Sequence, residues 1–142
     1  MNMEIQTFSE EEEILQIKFK NTLTDFLDEL ISNFFPTETE LIFMRMMVKQ
    51  APASDLIGKY IRDILPLKNL VKEQNDAFFI DNNILYVNGN LSSEKENHFK
   101  NLWRSDILDE ENRNTIWEWM NTFITIAQCY DDKYPKIIKW KL

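Results

Sequence analysis

Apolar residues recur three and four positions apart along most of the chain, which is the spacing of one face of an α-helix. The first such stripe predicts a helix over residues 10–33. Ser9 and Glu12 form a capping-box pattern at its start, because each side chain can bond one backbone N–H group that the helix leaves free. The apolar members of the stripe are Phe19, Leu23, Phe26, Leu27, Leu30, Ile31 and Phe34.

The most regular stripe lies toward the other end of the chain. Asp109, followed by two glutamates, predicts the start of a long helix, because acidic side chains are favoured at helix N-termini. Pro135 predicts the end of helical structure, because proline cannot donate a backbone hydrogen bond. The apolar members are Ile116, Trp117, Met120, Phe123, Ile124, Ala127 and Tyr130, with Trp119 and Ile126 beside them.

The segment after Pro36 is apolar on nearly all sides. Thr37 and Glu40 form a second capping-box pattern, and the predicted helix covers residues 38–50. An apolar surface all round favours a central, buried helix. The alternative interpretation is a methionine-rich surface that adapts to a binding partner. The apolar residues are Leu41, Ile42, Phe43, Met44, Met46, Met47 and Val48.

Prolines and turn-forming residues divide the next part of the chain into shorter helices. Ser54, which follows Pro52, is expected to cap a helix that runs to about Leu65. A further helix is predicted over residues 67–80, with a break near Asn75.

Residues 81–91 form the one stretch with a clearly non-helical pattern. Asparagines and a glycine surround a short apolar run, and no second strand is available to pair with it, so we expect an extended loop. Ser93 and Glu96 then predict the cap of another helix. The predicted fold class is therefore all-α, a compact bundle of about six helices.

Charge divides the chain into three predicted parts. Residues 1–13 form an acidic segment, residues 14–130 a single helical domain, and residues 131–142 a basic and apolar tail. The length of 142 residues suits one domain, and the net charge is −8. Because nucleic-acid binding depends on lysine and arginine neutralising phosphates, we expect no direct nucleic-acid partner.

The apolar runs are short, and the start of the chain is acidic. No run reaches the ~18 apolar residues of a membrane span, so we expect none. A secretory signal begins with basic residues before an apolar stretch, a pattern that residues 1–13 lack. The protein is therefore not expected to be secreted.

The search for catalytic and metal-binding motifs is negative. His98 is the only histidine and Cys129 the only cysteine, so two-histidine and zinc-cluster motifs are excluded. Lys95 stands where a di-iron motif needs a glutamate. Glycine-rich phosphate loops are missing, and Tyr86 occupies the glycine position of a calcium loop beginning at Asp81. We expect no metal, no cofactor and no enzymatic activity.

Aromatic residues make up 13% of the chain and supply the first candidate partner-binding residues. Trp117 and Trp119 are two positions apart, about 200° round a helix, so they cannot both face one core. Trp and Arg are frequent anchors of protein interfaces, which makes Trp103, Arg104 and Trp119 candidates. Packing within the chain is the competing explanation.

The tail supplies the second group of candidates, Lys136, Lys139 and Trp140. Its lysines alternate with apolar side chains after the break at Pro135. Such a segment can add to the edge of a partner's sheet or lie in a groove, and it can also fold back on its own acidic domain.

Five stretches between residues 18 and 130 resemble one family. They are Phe19–Ile31, Ile64–Lys68, Asp76–Asn83, His98–Ser105 and Ile116–Phe123. The resemblance is to a family of small helical proteins encoded by nucleocytoplasmic large DNA viruses, mimivirus relatives in particular. The family offers no catalytic motif that could be transferred to this chain.

The resemblance implies a viral protein located in the virion or in the host cytoplasm, at the viral factory. For such a protein we expect a structural or assembly role through protein–protein contacts, as a minor virion component. The alternative is a regulatory binding module that acts on viral or host transcription or translation machinery. The expected partner is a protein, either viral or a second copy, and the oligomeric state is left open.

Overall fold

Helices make up the regular structure of the part of the protein that the structure describes. A computed structural model describes residues 8–80 and 100–135, and those residues contain no strand, which confirms the all-α prediction. The loop predicted near residues 81–91, the cap at Ser93 and the tail beyond residue 135 lie outside the described residues. The helices are α1 (Glu10–Glu29), α2 (Thr39–Gln50), α3 (Ala53–Asp63), α4 (Lys68–Lys72), α5 (Ala77–Ile80), α6 (described over 100–104) and α7 (Glu110–Lys133).

Both long helices begin at the predicted caps. The Ser9 hydroxyl accepts a hydrogen bond from the Glu12 backbone N–H at 3.1 Å, and Glu12 accepts one from the Ser9 N–H at 3.2 Å. Asp109 and Asn112 form the same reciprocal pair at the start of α7, at 2.7 and 3.2 Å. A π-helical turn, Leu30–Phe34, continues α1 to the predicted end of that helix.

Two predicted caps are wrong. The Thr37–Glu40 box does not form, because residues 35–38 make a turn and α2 begins only after Glu38, which caps without a side-chain hydrogen bond. The cap of α3 is Pro52, not Ser54. The proline ring holds φ at −61°, so the chain enters the helix at Ala53 and the serine lies inside the first turn.

The expected break near Asn75 is present between α4 and α5. The Asn75 N–H donates to the Leu70 carbonyl at 2.8 Å and the Gln74 N–H to the Val71 carbonyl at 3.0 Å. This is the Schellman arrangement, in which the residue after the helix is left-handed and usually glycine. Gln74 occupies that position with φ of 53°.

The core forms where α1, α3 and α7 meet. Phe19 of α1 lies 5.0 Å from Tyr60 of α3 and 5.7 Å from Phe123 of α7, measured between ring centroids. Residues from the start of α1 contact the end of α7, and residues from its end contact the start of α7, so these two helices are antiparallel. Burial of apolar side chains in this core, these rings among them, is the dominant favourable term in folding.

The prediction that α2 is central and buried is wrong. Leu41, Met44 and Val48 form one buried face against the rest of the bundle, while Ile42, Phe43 and Met46 remain exposed. Because the helix carries apolar residues on all sides, its sequence alone does not say which side is covered. The helix lies at the edge of the bundle, with α1 as its main neighbour.

Candidate functional site

Trp103 is enclosed in an aromatic cluster. It is 5% exposed and stacks on Phe79 with 4.0 Å between ring centroids. Trp117 closes the cluster at 5.5 Å from Trp103. The Arg113 guanidinium lies 5.7 Å from the Trp103 ring and donates two hydrogen bonds to the Trp103 backbone carbonyl. Arg104, the next residue, is exposed.

Trp119 packs against Phe26 and Glu29 of α1. Its ring lies 5.6 Å from Phe26, and its Nε1–H donates to Glu29 Oε2 at 2.9 Å. The prediction that Trp117 and Trp119 cannot both face one core is wrong: Trp117 is buried in the apolar core, and Trp119 packs against the same core from a different part of α7. Contacts within the chain therefore account for the burial of Trp103, Trp117 and the half-buried Trp119. Their role in partner binding stays a prediction, and Lys136, Lys139 and Trp140 lie outside the described residues.

The most prominent unexplained feature is the outer side of α2. Ile42 is 38% exposed, Phe43 52% and Met46 51%. Residues three and four positions apart are neighbours on a helix surface, so Met46 lies beside both of the others. We call these three residues the α2 apolar face. Single exposed apolar residues are common on proteins, whereas contiguous apolar patches often mark interaction sites.

The α2 apolar face is carried by a helix that is fixed on its other side. Arg45 pairs with Asp28 of α1 at 3.0 Å. Lys20 of α1 donates to the backbone carbonyls of Lys49 at 2.9 Å and Ala51 at 2.7 Å. The two Lys20 hydrogen bonds satisfy carbonyl groups that the end of a helix leaves free. The exposed side chains are therefore presented in a defined arrangement.

The other exposed large apolar residues are a pair on α1 and a single residue between α6 and α7. Ile14 and Ile17 of α1 are 59% and 52% exposed, on a surface that also carries exposed Glu10, Glu13 and Lys18. Ile107, between α6 and α7, is 57% exposed. None of these sites contains an aromatic residue or a methionine, two residue types that are enriched at protein interfaces.

A buried polar network joins the start of α1 to the end of α7. Gln16 Nε2 donates to the Tyr130 hydroxyl at 2.8 Å, and that hydroxyl donates to Glu12 Oε2 at 3.4 Å. Burial raises the pKa of the Tyr130 hydroxyl, so it stays a neutral donor. The arrangement fastens the start of α1 to the end of α7.

The Tyr60 hydroxyl is buried among the rings of the core. It has no hydrogen-bond partner among the described residues, and burial raises its pKa above the ordinary value. A shallow depression near the other end of the core is lined only by apolar and aromatic residues, among them Phe26, Leu41 and Trp103. Ligand sites normally add a few polar groups that orient the ligand.

Comparison of the chain with protein-family models, curated proteins and solved structures finds no match. Within residues 8–80 and 100–135, no group of three or more histidine, cysteine or acidic side chains could hold a metal ion. The helices in those ranges include none with the length and hydropathy that a membrane crossing requires.

Proposed function

We propose that this protein is non-enzymatic and acts through protein–protein contacts made by the α2 apolar face. The observation that supports this is the exposure of Ile42, Phe43 and Met46 side by side on a helix that is fixed by its buried side. Removal of apolar surface from water is the main driving force of most protein association. A partner that covers this surface would gain that free energy without any rearrangement of α2.

The size of the gain follows from the exposed fractions. Full burial of a large apolar side chain is worth about 1.5–3 kcal/mol. Phe43 and Met46 are each about half exposed, 52% and 51%. Covering each would therefore contribute roughly 1 kcal/mol, and covering the whole face roughly 2–4 kcal/mol. This is enough for the centre of an interface but needs surrounding contacts to give a tight complex.

The family resemblance extends this proposal to a structural or assembly role in a virus, as a minor virion component. A regulatory role on transcription or translation machinery would use the same kind of contact. Quantitative proteomics of purified particles separates the two roles. Presence at a fixed stoichiometry supports the structural role, and absence from the particle overturns it in favour of regulation.

Site-specific crosslinking tests the contact itself. A photoreactive phenylalanine analogue placed at position 43 should form one or a few discrete protein adducts in cells that express the protein. The same analogue at Glu118, which is exposed on α7, is the matched control. Discrete adducts at position 43 but not at 118 support the proposal. No adduct at 43, or the same adducts at both positions, contradicts it.

A further inference from the structure

We infer that the last seven residues of the basic tail, 136–142, dock on the outer side of α1 in their own chain. The receiving surface consists of Glu10, Glu13, Ile14 and Ile17, all of which are exposed. We call these four residues the α1 acidic stripe. Residues three, four and seven positions apart lie along one side of a helix, so the four side chains form one contiguous surface. The inference does not depend on the α2 apolar face.

The α1 acidic stripe combines apolar and charged groups that the described part of the chain leaves uncovered. Ile14 and Ile17 are each more than half exposed. Among the described residues, neither Glu10 nor Glu13 takes part in an ion pair. Lys18 follows the stripe, so its negative charge is concentrated at the beginning of α1. An apolar pair beside unpaired carboxylates is complementary to a segment that is both basic and apolar.

The last seven residues have this complementary chemistry. They contain no acidic side chain, and they consist of Lys136, Ile137, Ile138, Lys139, Trp140, Lys141 and Leu142. Tryptophan is a frequent anchor of protein contacts, and here it stands between two lysines. We expect the Trp140 ring to cover the two isoleucines of the α1 acidic stripe, and its lysine neighbours to meet the two glutamates.

The end of α7 lies beside the start of α1, which brings the tail close to the α1 acidic stripe. The Tyr130 hydroxyl accepts a hydrogen bond from Gln16 Nε2 at 2.8 Å, and the Tyr134 ring lies 5.2 Å from the Tyr130 ring. A helix turns about 100° per residue, so the middle of the stripe lies roughly a third of a turn round α1 from Gln16.

The last seven residues are long enough to cover this separation. A third of a turn round a helix about 10–12 Å wide is roughly 12 Å. Seven extended residues span at most about 23–25 Å, so Trp140, the fifth of them, can reach Ile14 and Ile17. A tail that is tethered beside its binding surface is present there at a high effective concentration, which favours the chain's own tail over that of a second copy.

Docking of the tail offsets the negative charge of the α1 acidic stripe. Deletion of residues 136–142 removes three lysines, which takes the net charge of the chain from −8 to −11. A larger net charge increases the repulsion between copies of an acidic protein. This is a physical reason to expect weaker assembly when the tail is removed.

Carbodiimide crosslinking of the full-length wild type tests the docking. The reagent joins a lysine amine directly to a carboxylate, so the two groups must be in contact. Peptide mass spectrometry should find links from the lysines beside Trp140 to the glutamates of the α1 acidic stripe. Links to Glu118, which is exposed on α7, should be about tenfold fewer. Absence of links to the stripe, or equal numbers to Glu118, overturns the inference.

An equal mixture of ¹⁵N-labelled and unlabelled protein shows which chain supplies the tail. Links that join peptides of the same isotope only support docking within one chain. Links that join labelled to unlabelled peptides in statistical proportion assign the stripe to the tail of a second copy, and they overturn the inference.

Replacement of the two isoleucines tests whether apolar contact holds the tail in place. Ile14→Ser/Ile17→Ser keeps every charge and should lower the yield of these links about fivefold. Ile107→Ser, at an exposed residue away from α1, is the matched control and should leave the yield unchanged. Trp140→Ala should lower the yield as the double variant does, and it alters no residue of α1. An unchanged yield in Trp140→Ala, or in a double variant with an intact helical spectrum, overturns the inference.

Discussion

Replacement of Tyr60 by phenylalanine should stabilise the protein, although it removes a polar group. The Tyr60 ring lies 5.0 Å from Phe19 and 6.0 Å from Phe123, and phenylalanine keeps those contacts. The hydroxyl is buried without a hydrogen-bond partner among the described residues. A buried donor left unsatisfied costs about 1–3 kcal/mol, so we expect the variant to gain about 1 kcal/mol.

Urea unfolding followed by circular dichroism measures this gain. The midpoint should rise while the slope of the transition stays constant, because the surface exposed on unfolding hardly changes. Tyr130→Phe is the matched control, and we expect it to lower the free energy of unfolding instead of raising it. It removes the hydroxyl bonded to Gln16 at 2.8 Å and leaves a buried amide short of a partner, so it should cost about 1–3 kcal/mol.

The pH dependence provides a second test of the same group. Burial raises the pKa of Tyr60 above the ordinary value of 10.0, so the folded state keeps a proton that the unfolded state releases. The stability that the folded state gains by keeping this proton is fully present below pH 10 and is lost as the pH rises further. Tyr60→Phe should therefore lose less stability than the wild type above pH 10. Destabilisation of Tyr60→Phe by 1 kcal/mol or more near neutral pH would refute the reasoning, since the hydroxyl would then have a partner.

Three further predictions concern a turn, a side chain and the tail. Gln74 has a left-handed φ of 53°, so Gln74→Gly should raise the free energy of unfolding by about 0.5–1 kcal/mol, as measured in urea. Glu73→Gly is the control: its φ is −86°, so the same substitution should lower the free energy of unfolding. Trp119→Phe should cost about 1 kcal/mol through loss of the indole hydrogen bond to Glu29, and no loss would contradict that bond. Deletion of residues 136–142 should leave the helical spectrum intact but weaken assembly or partner capture. A loss of several kcal/mol with association unchanged would instead assign the tail to the core.

Local signals in the sequence were sufficient for much of the fold. The boxes at Ser9 and Asp109 involve residues three positions apart, and the break at Asn75 depends on a turn of a few residues. Such features need no knowledge of the rest of the chain, which is why α1, α7 and the break could be predicted.

The two wrong caps and the wrong position of α2 each depend on which of several neighbouring residues or helices makes the contact. Thr37 lies in the turn that precedes α2, so it cannot cap that helix. Pro52, with φ of −61°, takes the cap position of α3 ahead of Ser54. The position of α2 depends on which of its apolar sides α1 covers, and periodicity cannot decide this when all sides are apolar. The sequence therefore indicates the α2 apolar face only through the alternative interpretation of this helix as a methionine-rich binding surface.

Methyl NMR of methionine tests most directly the claim that the outer side of α2 is a contact surface. Met46 is 51% exposed on the α2 apolar face, while Met44, on the same helix, is 5% exposed on the buried side. When a complex forms, with a second copy or with the protein crosslinked at position 43, the Met46 methyl signal should shift or broaden and the Met44 signal should stay in place. A complex that forms while the Met46 signal is unchanged would contradict the account.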